Sequence, residues 1–105
     1  MTDTLARLAD TIAARKGADP ETSWTAQLLA KGPKKAAEKF GEEAVEAIIE
    51  AASGDRARLT EEAADVLYHF LVMLTASDVS LDEVLRVLEA REGTSGLAEK
   101  AGRTR

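Results

Sequence analysis

Residues 55–77 read DRARLTEEAADVLYHFLVMLTAS. Asp55 is suited to cap a helix that continues to about Ser77. Along it, Leu59, Ala63, Ala64, Val66, Leu67, Phe70, Leu71, Val72, Met73 and Leu74 cover nearly the whole circumference. A helix that is apolar all round belongs in an interior. Yet Glu62 and Asp65 interrupt this surface, with His69 between them on the helical wheel. A carboxylate in such a setting needs a cation, a metal ion or a proton as partner. No Lys or Arg occurs between residues 59 and 85, so the helix cannot neutralise its own acids. The fold must wrap other helices around this one and bring something to Glu62 and Asp65.

The preceding stretch, residues 33–53, is PKKAAEKFGEEAVEAIIEAAS. Lys31-Gly32-Pro33 stops one helix and starts the next, because proline suits a first helical turn; Gly54 ends it. At about 100° per residue, Lys35, Lys39, Glu42, Glu43, Glu46 and Glu50 share one arc of this helix, within about 100° of one another. Phe40, Ala44, Val45, Ile48 and Ala52 take the remainder. Such an acidic face alone reads more simply as a solvated surface. Beside the next helix it reads differently: carboxylates at i,i+3 on each of two facing helices make an oxygen-rich cage for a hard divalent cation. Magnesium or manganese fits that donor set, whereas zinc favours nitrogen and sulfur.

Outward from this pair, Leu5, Leu8, Ala9 and Ile12 predict an amphipathic first helix over residues 3–16, broken by Gly17-Ala18-Asp19-Pro20. Ser23 caps a short helix from Trp24 to Ala30. Ser80-Leu81-Asp82-Glu83 is a capping box for a fifth helix, with Leu81, Val84, Leu85 and Leu88 in one stripe. Nothing signals a strand. The expected class is all-α, a bundle of about five helices per chain, with a domain over residues 1–92 and a flexible C-terminal tail over 93–105. The 105 residues offer limited interior, and a helix apolar all round needs more cover than four short neighbours supply. A homodimer that completes the bundle is the expected remedy.

Composition narrows the chemistry. With no cysteine, disulfides, thiolate metal sites and cysteine nucleophiles are excluded. A formal net charge of −5 argues against non-specific nucleic-acid binding. The longest aliphatic or aromatic run, Phe70 to Leu74, is far short of the roughly 20 residues that span a membrane. With no secretory signal visible, the expected location is the cytoplasm.

The motif Glu42-Glu43-Ala44-Val45-Glu46, followed by Glu62-Ala63-Ala64-Asp65, resembles the EExxE…ExxD signature of the all-α nucleotide pyrophosphohydrolases. Further matching segments are Ser23-Trp24-Thr25, Leu28-Leu29-Ala30-Lys31-Gly32-Pro33, Lys35, Lys39, Gly54-Asp55 and Val66-Leu67-Tyr68-His69. Together they are similar to the phosphoribosyl-ATP pyrophosphohydrolase family of histidine biosynthesis, over nearly the whole chain. One departure is Trp24, where members usually carry tyrosine. The resemblance implies Mg²⁺-dependent conversion of phosphoribosyl-ATP to phosphoribosyl-AMP and pyrophosphate by a dimer with composite sites.

On this reading Glu43, Glu46, Glu62 and Asp65 hold the metal. Glu42 is the candidate general base, Glu46 shares in catalysis, and Lys31, Lys35 and Lys39 meet phosphate oxygens. His69, one turn beyond Asp65, is expected to hydrogen-bond and orient it. Trp24 and Tyr68 read as packing anchors in preference to base-stacking platforms. Gly41, costly inside a helix by about 1 kcal/mol relative to alanine, suggests close approach by another helix or a ligand. Two alternatives remain: a housekeeping nucleoside-triphosphate pyrophosphohydrolase with the same cage, and a non-catalytic helical dimerisation module.

Overall fold

The computed structural model describes residues 3–93, and among them every regular element is helical. In chain order these are α1 (Asp3–Ala14), α2 (Trp24–Ala30), α3 (Pro33–Ser53), α4 (Arg56–Ala76) and α5 (Leu81–Ala90). Apart from Gly93, the tail expected at 93–105 lies outside the described residues.

Local chemistry sets most boundaries. Ser23 accepts from the Ala26 amide at 3.1 Å, and Asp55 accepts from the Arg58 amide at 3.0 Å. At α5, Ser80 and Glu83 close the reciprocal capping box. Gly54 ends α3 at φ 80°, returning its amide to the carbonyls of Glu50 and Ala51. Helix α1 stops two residues short of the expected Lys16. There Arg15 and Lys16 tighten into i→i−3 bonds ahead of Gly17 at φ 83°. Lys16 instead reaches across the fold, donating to the Thr75 carbonyl at 3.1 Å and pairing with Asp78.

Helices α3 and α4 form an antiparallel hairpin across the Gly54-Asp55 turn. The pairing is fixed at two places: the Phe40 and Phe70 rings lie 6.0 Å apart, and Arg58 Nε lies 3.2 Å from a Glu50 carboxylate oxygen. Helices α1 and α2 pack over α4. The core they share comprises Ile12, Leu28, Leu29, Ala36, Leu71 and Val72.

The expected all-round burial of α4 is not met within one chain. Only Leu71 and Val72 of this helix are buried. Toward its N-terminal end Ala63, Ala64 and Asp65 are exposed and Leu67 is 46% exposed, while Glu62 is partly buried. Glu62 and Asp65 therefore line one side of a two-helix ridge rather than a crowded interior. The companion face of α3 is equally bare, with Val45, Ile48 and Ile49 each more than half exposed. Gly41 also faces open space: a Cβ there would meet nothing within 4 Å, so no helix of the same chain explains it.

Candidate metal and phosphate site

The hairpin register brings Glu43 of α3 to Glu62 and Asp65 of α4. One carboxylate oxygen each from Glu43, Glu62 and Asp65 lies within 4.8 Å of the others. Oxygens on opposite sides of a Mg²⁺ ion stand about 4.2 Å apart, given bond lengths of about 2.1 Å, so small side-chain adjustments would close this set around an ion. Glu62 Oε2 is buried and has no hydrogen-bond partner. A buried carboxylate oxygen without a partner is costly, which is the condition a cation relieves. The donors present fit a hard divalent ion.

Electrostatics record the same crowding. Burial, followed by the charges of Glu46 and Asp65, pushes the Glu43 carboxyl above the usual glutamate range. Glu62 is raised likewise, by burial first and then by Glu46, Asp65, Glu43 and Glu50. Glu46 thus faces the cluster closely enough to act on both, although it is exposed and outside the three-oxygen group.

These shifts fix a sign for the metal-free protein. A carboxyl with a raised folded-state pKa binds its proton more tightly folded than unfolded. Its contribution favours the fold at low pH, and is lost as pH rises from the ordinary glutamate value through the raised one. Metal-free Glu62→Gln should therefore melt a few degrees above metal-free wild type near neutral pH, the gap narrowing towards about pH 4. Thermal melts across that range check this, and Mg²⁺ should stabilise the wild type more than the variant. A higher melting point for metal-free wild type at neutral pH would contradict a strained acid cluster.

Of the basic residues, Lys39 is near enough for its charge to act on Glu43, yet Lys31, Lys35 and Lys39 each have a contact of their own outside the three-oxygen group. Lys39 Nζ pairs with Glu42 at 3.5 Å and Lys35 Nζ with Glu38 at 2.9 Å. Lys31 Nζ sits 6.0 Å from the centre of the Trp24 ring. Glu42, about half exposed, is on the edge of the acid row and carries this pairing with Lys39. His69 does not make the expected hydrogen bond to Asp65. Its Nδ1 is buried without a partner and its ring stands edge-on to Tyr68, centroids 5.0 Å apart. Burial, then the Lys39 charge, lowers its pKa and favours neutral imidazole. Tyr68 itself is anchored by a 2.6 Å hydrogen bond with the Thr25 hydroxyl.

One pair escaped the sequence reading. Arg58 holds Glu50, whose side chain is only 17% exposed, and so caps the turn end of the acid row. Both residues are four positions from Gly54, which an antiparallel hairpin places opposite one another. A cavity of about 120 Å³ between α1, the end of α4 and the start of α5 contains none of the clustered acids.

Residues 5–92 match the family model described as phosphoribosyl-ATP pyrophosphohydrolase. A Cereibacter sphaeroides protein named phosphoribosyl-ATP pyrophosphatase is 79% identical over 99 residues, covering 94% of this chain and 96% of the relative. Proteins of that name from Dinoroseobacter shibae and Rhodobacter capsulatus are 77% and 73% identical, each over 94% of this chain and over 97% and 96% of their own lengths. With the paired acids on a shared ridge and a match along nearly its full length, the chain belongs to the phosphoribosyl-ATP pyrophosphohydrolase family.

Proposed function

We propose that this protein hydrolyses phosphoribosyl-ATP to phosphoribosyl-AMP and pyrophosphate, a step of histidine biosynthesis, as a homodimer in the cytoplasm. The observation that carries the mechanism is the partnerless Glu62 oxygen inside the Glu43–Glu62–Asp65 cluster. Glu43, Glu62 and Asp65, with Glu46 turning inward, would hold Mg²⁺, or Mn²⁺ in its place. A divalent ion there supplies positive charge to the triphosphate oxygens.

The chain's own residues do the rest. In this hydrolysis water adds to the α-phosphorus, the bridging oxygen leaves with pyrophosphate, and one proton is released. Glu42 is the group assigned to take that proton, because it sits at the edge of the acid row and its exposed carboxylate touches only Lys39 among the contacts described. Lys39, Lys35 and Lys31 serve as point charges for phosphate oxygens once their present partners are exchanged. Neutral His69 remains on the same edge of α4 as Asp65, able to donate or accept a proton locally.

The homodimer rests on the uncovered ridge. Val45, Ile48 and Ile49 on α3 and Leu67 on α4 are large apolar side chains left in water by a single chain, and a second copy is the occupant that would bury them. Among the described residues no single helix is long and apolar enough to cross a membrane.

The decisive assay offers phosphoribosyl-ATP and a panel of deoxynucleoside triphosphates, with and without Mg²⁺, and identifies the products. Phosphoribosyl-AMP and pyrophosphate in equal amounts, only with metal and with phosphoribosyl-ATP strongly preferred, is the expected result. Preferred turnover of the deoxynucleotides would transfer the protein to the housekeeping class. No turnover of either would leave an interaction module.

A further inference from the structure

Trp24 is the single tryptophan of the chain and is 54% exposed, although everything around it is pinned. Ser23 caps α2, the Thr25 hydroxyl is bonded to Tyr68, and Ala26, Leu28 and Leu29 are buried. More than half of the indole surface is thus left over from the packing that seats α2. The expected packing role of Trp24 therefore accounts for less than half of its surface in a single chain. A ring of this size normally repays its presence by burial, and here it offers its surface to solvent.

Two neighbours indicate what that surface meets. Tyr68 follows Asp65 by three residues, so the two are adjacent on α4, about 4.5 Å apart along the axis. The Thr25–Tyr68 bond consequently ties the start of α2 to the α4 residue that lies about one helical turn beyond Asp65. On the other side, Lys31 Nζ lies 6.0 Å from the indole centre, so an aromatic face and a cation share one patch. We propose that Trp24 is a stacking platform for the purine of the nucleotide whose phosphates engage the acid cluster, and that Lys31 takes a phosphate of the same molecule. The proposal rests on the nucleotide reading given above and deepens it by assigning base recognition. Stacking needs a flat π surface rather than a particular hydrogen-bond pattern, so phenylalanine or tyrosine would serve in its place.

Because Trp24 is alone, its emission reports directly on the patch. The wild-type protein in Mg²⁺ is titrated with ATP and, separately, with inorganic triphosphate, and turnover of phosphoribosyl-ATP is measured for Trp24→Ala and Trp24→Phe. ATP should quench the emission saturably and triphosphate should not. Trp24→Ala should raise KM about tenfold to a hundredfold with kcat within about twofold, and Trp24→Phe should restore most of the loss. An emission unmoved by ATP together with an unchanged KM for Trp24→Ala would overturn the proposal. So would dissociation of the oligomer by Trp24→Ala in sedimentation, which would make the ring interface packing. If wild type quenches with ATP alone but never hydrolyses phosphoribosyl-ATP, the platform stands and the assigned reaction falls.

Discussion

Replacing Asp65 with alanine should lower metal-dependent pyrophosphate release by about a thousandfold or more, equivalent to about 4 kcal/mol of lost transition-state stabilisation. Asp65 is one of three carboxylates whose oxygens converge within 4.8 Å, and it is the exposed member of the three. Exposure matters for the interpretation. Truncating an exposed side chain changes stability by about 0.5 kcal/mol or less, so lost activity in this variant cannot be assigned to a lost fold. Removing a negative charge from beside Glu43 and Glu62 also relieves part of the repulsion that raises their pKa values. The metal-free variant should therefore be as stable as wild type or slightly more so, while the stabilisation gained on adding Mg²⁺ should largely vanish. Steady-state pyrophosphate assays and melts with and without Mg²⁺ measure both. Wild-type turnover in Asp65→Ala would mean that the ion sits elsewhere.

The second large effect concerns the bare ridge. Ile48 is 64% exposed in the single chain, so Ile48→Asp should be nearly silent if the protein works alone. With a second copy on this face, each isoleucine contributes about 1.5–3 kcal/mol by burial, and a symmetric interface counts it twice. Loss of both, with two carboxylates placed against apolar surface, should cost about 3–6 kcal/mol per dimer and leave monomers. Sedimentation velocity and urea unfolding at several protein concentrations read this out. An Ile48→Asp protein with unchanged mass and midpoint would show that α3 is free in solution.

How much could be read from the chain depended on the range of the interaction. Caps at Ser23, Asp55 and Ser80 and the stop at Gly54 are contacts over a few residues, and they appear where the sequence places them. Of the acids, the nearness of Glu62 to Asp65 was legible, because i,i+3 spacing fixes which side chains share a helix face, whereas Glu46, expected beside Glu43, stays outside the three-oxygen group. Burial of α4 was misjudged for a definite reason. Apolar periodicity reports that a face needs cover, not which molecule supplies it, and here one chain covers only the C-terminal half. The His69–Asp65 bond failed because i,i+4 spacing brings two side chains near without fixing a rotamer, and the imidazole turned its edge to Tyr68 instead. Arg58 was missed by one position, since its partner Glu50 is on the other helix and only the hairpin register reveals it.

That register has a consequence for how this protein can vary. The two-residue link at Gly54-Asp55 acts as the zero mark of a pair of opposed scales, with Glu50 read against Arg58 near it and Phe40 against Phe70 farther away. An inserted residue within α3 after Glu46, or within α4 before Glu62, would turn one scale by about 100° and slide it by about 1.5 Å. The acids would then miss one another entirely. An insertion in the link itself leaves both scales intact and only lengthens the pivot. Drift in chain length over this span is therefore channelled to a single bend, far from the chemistry it protects.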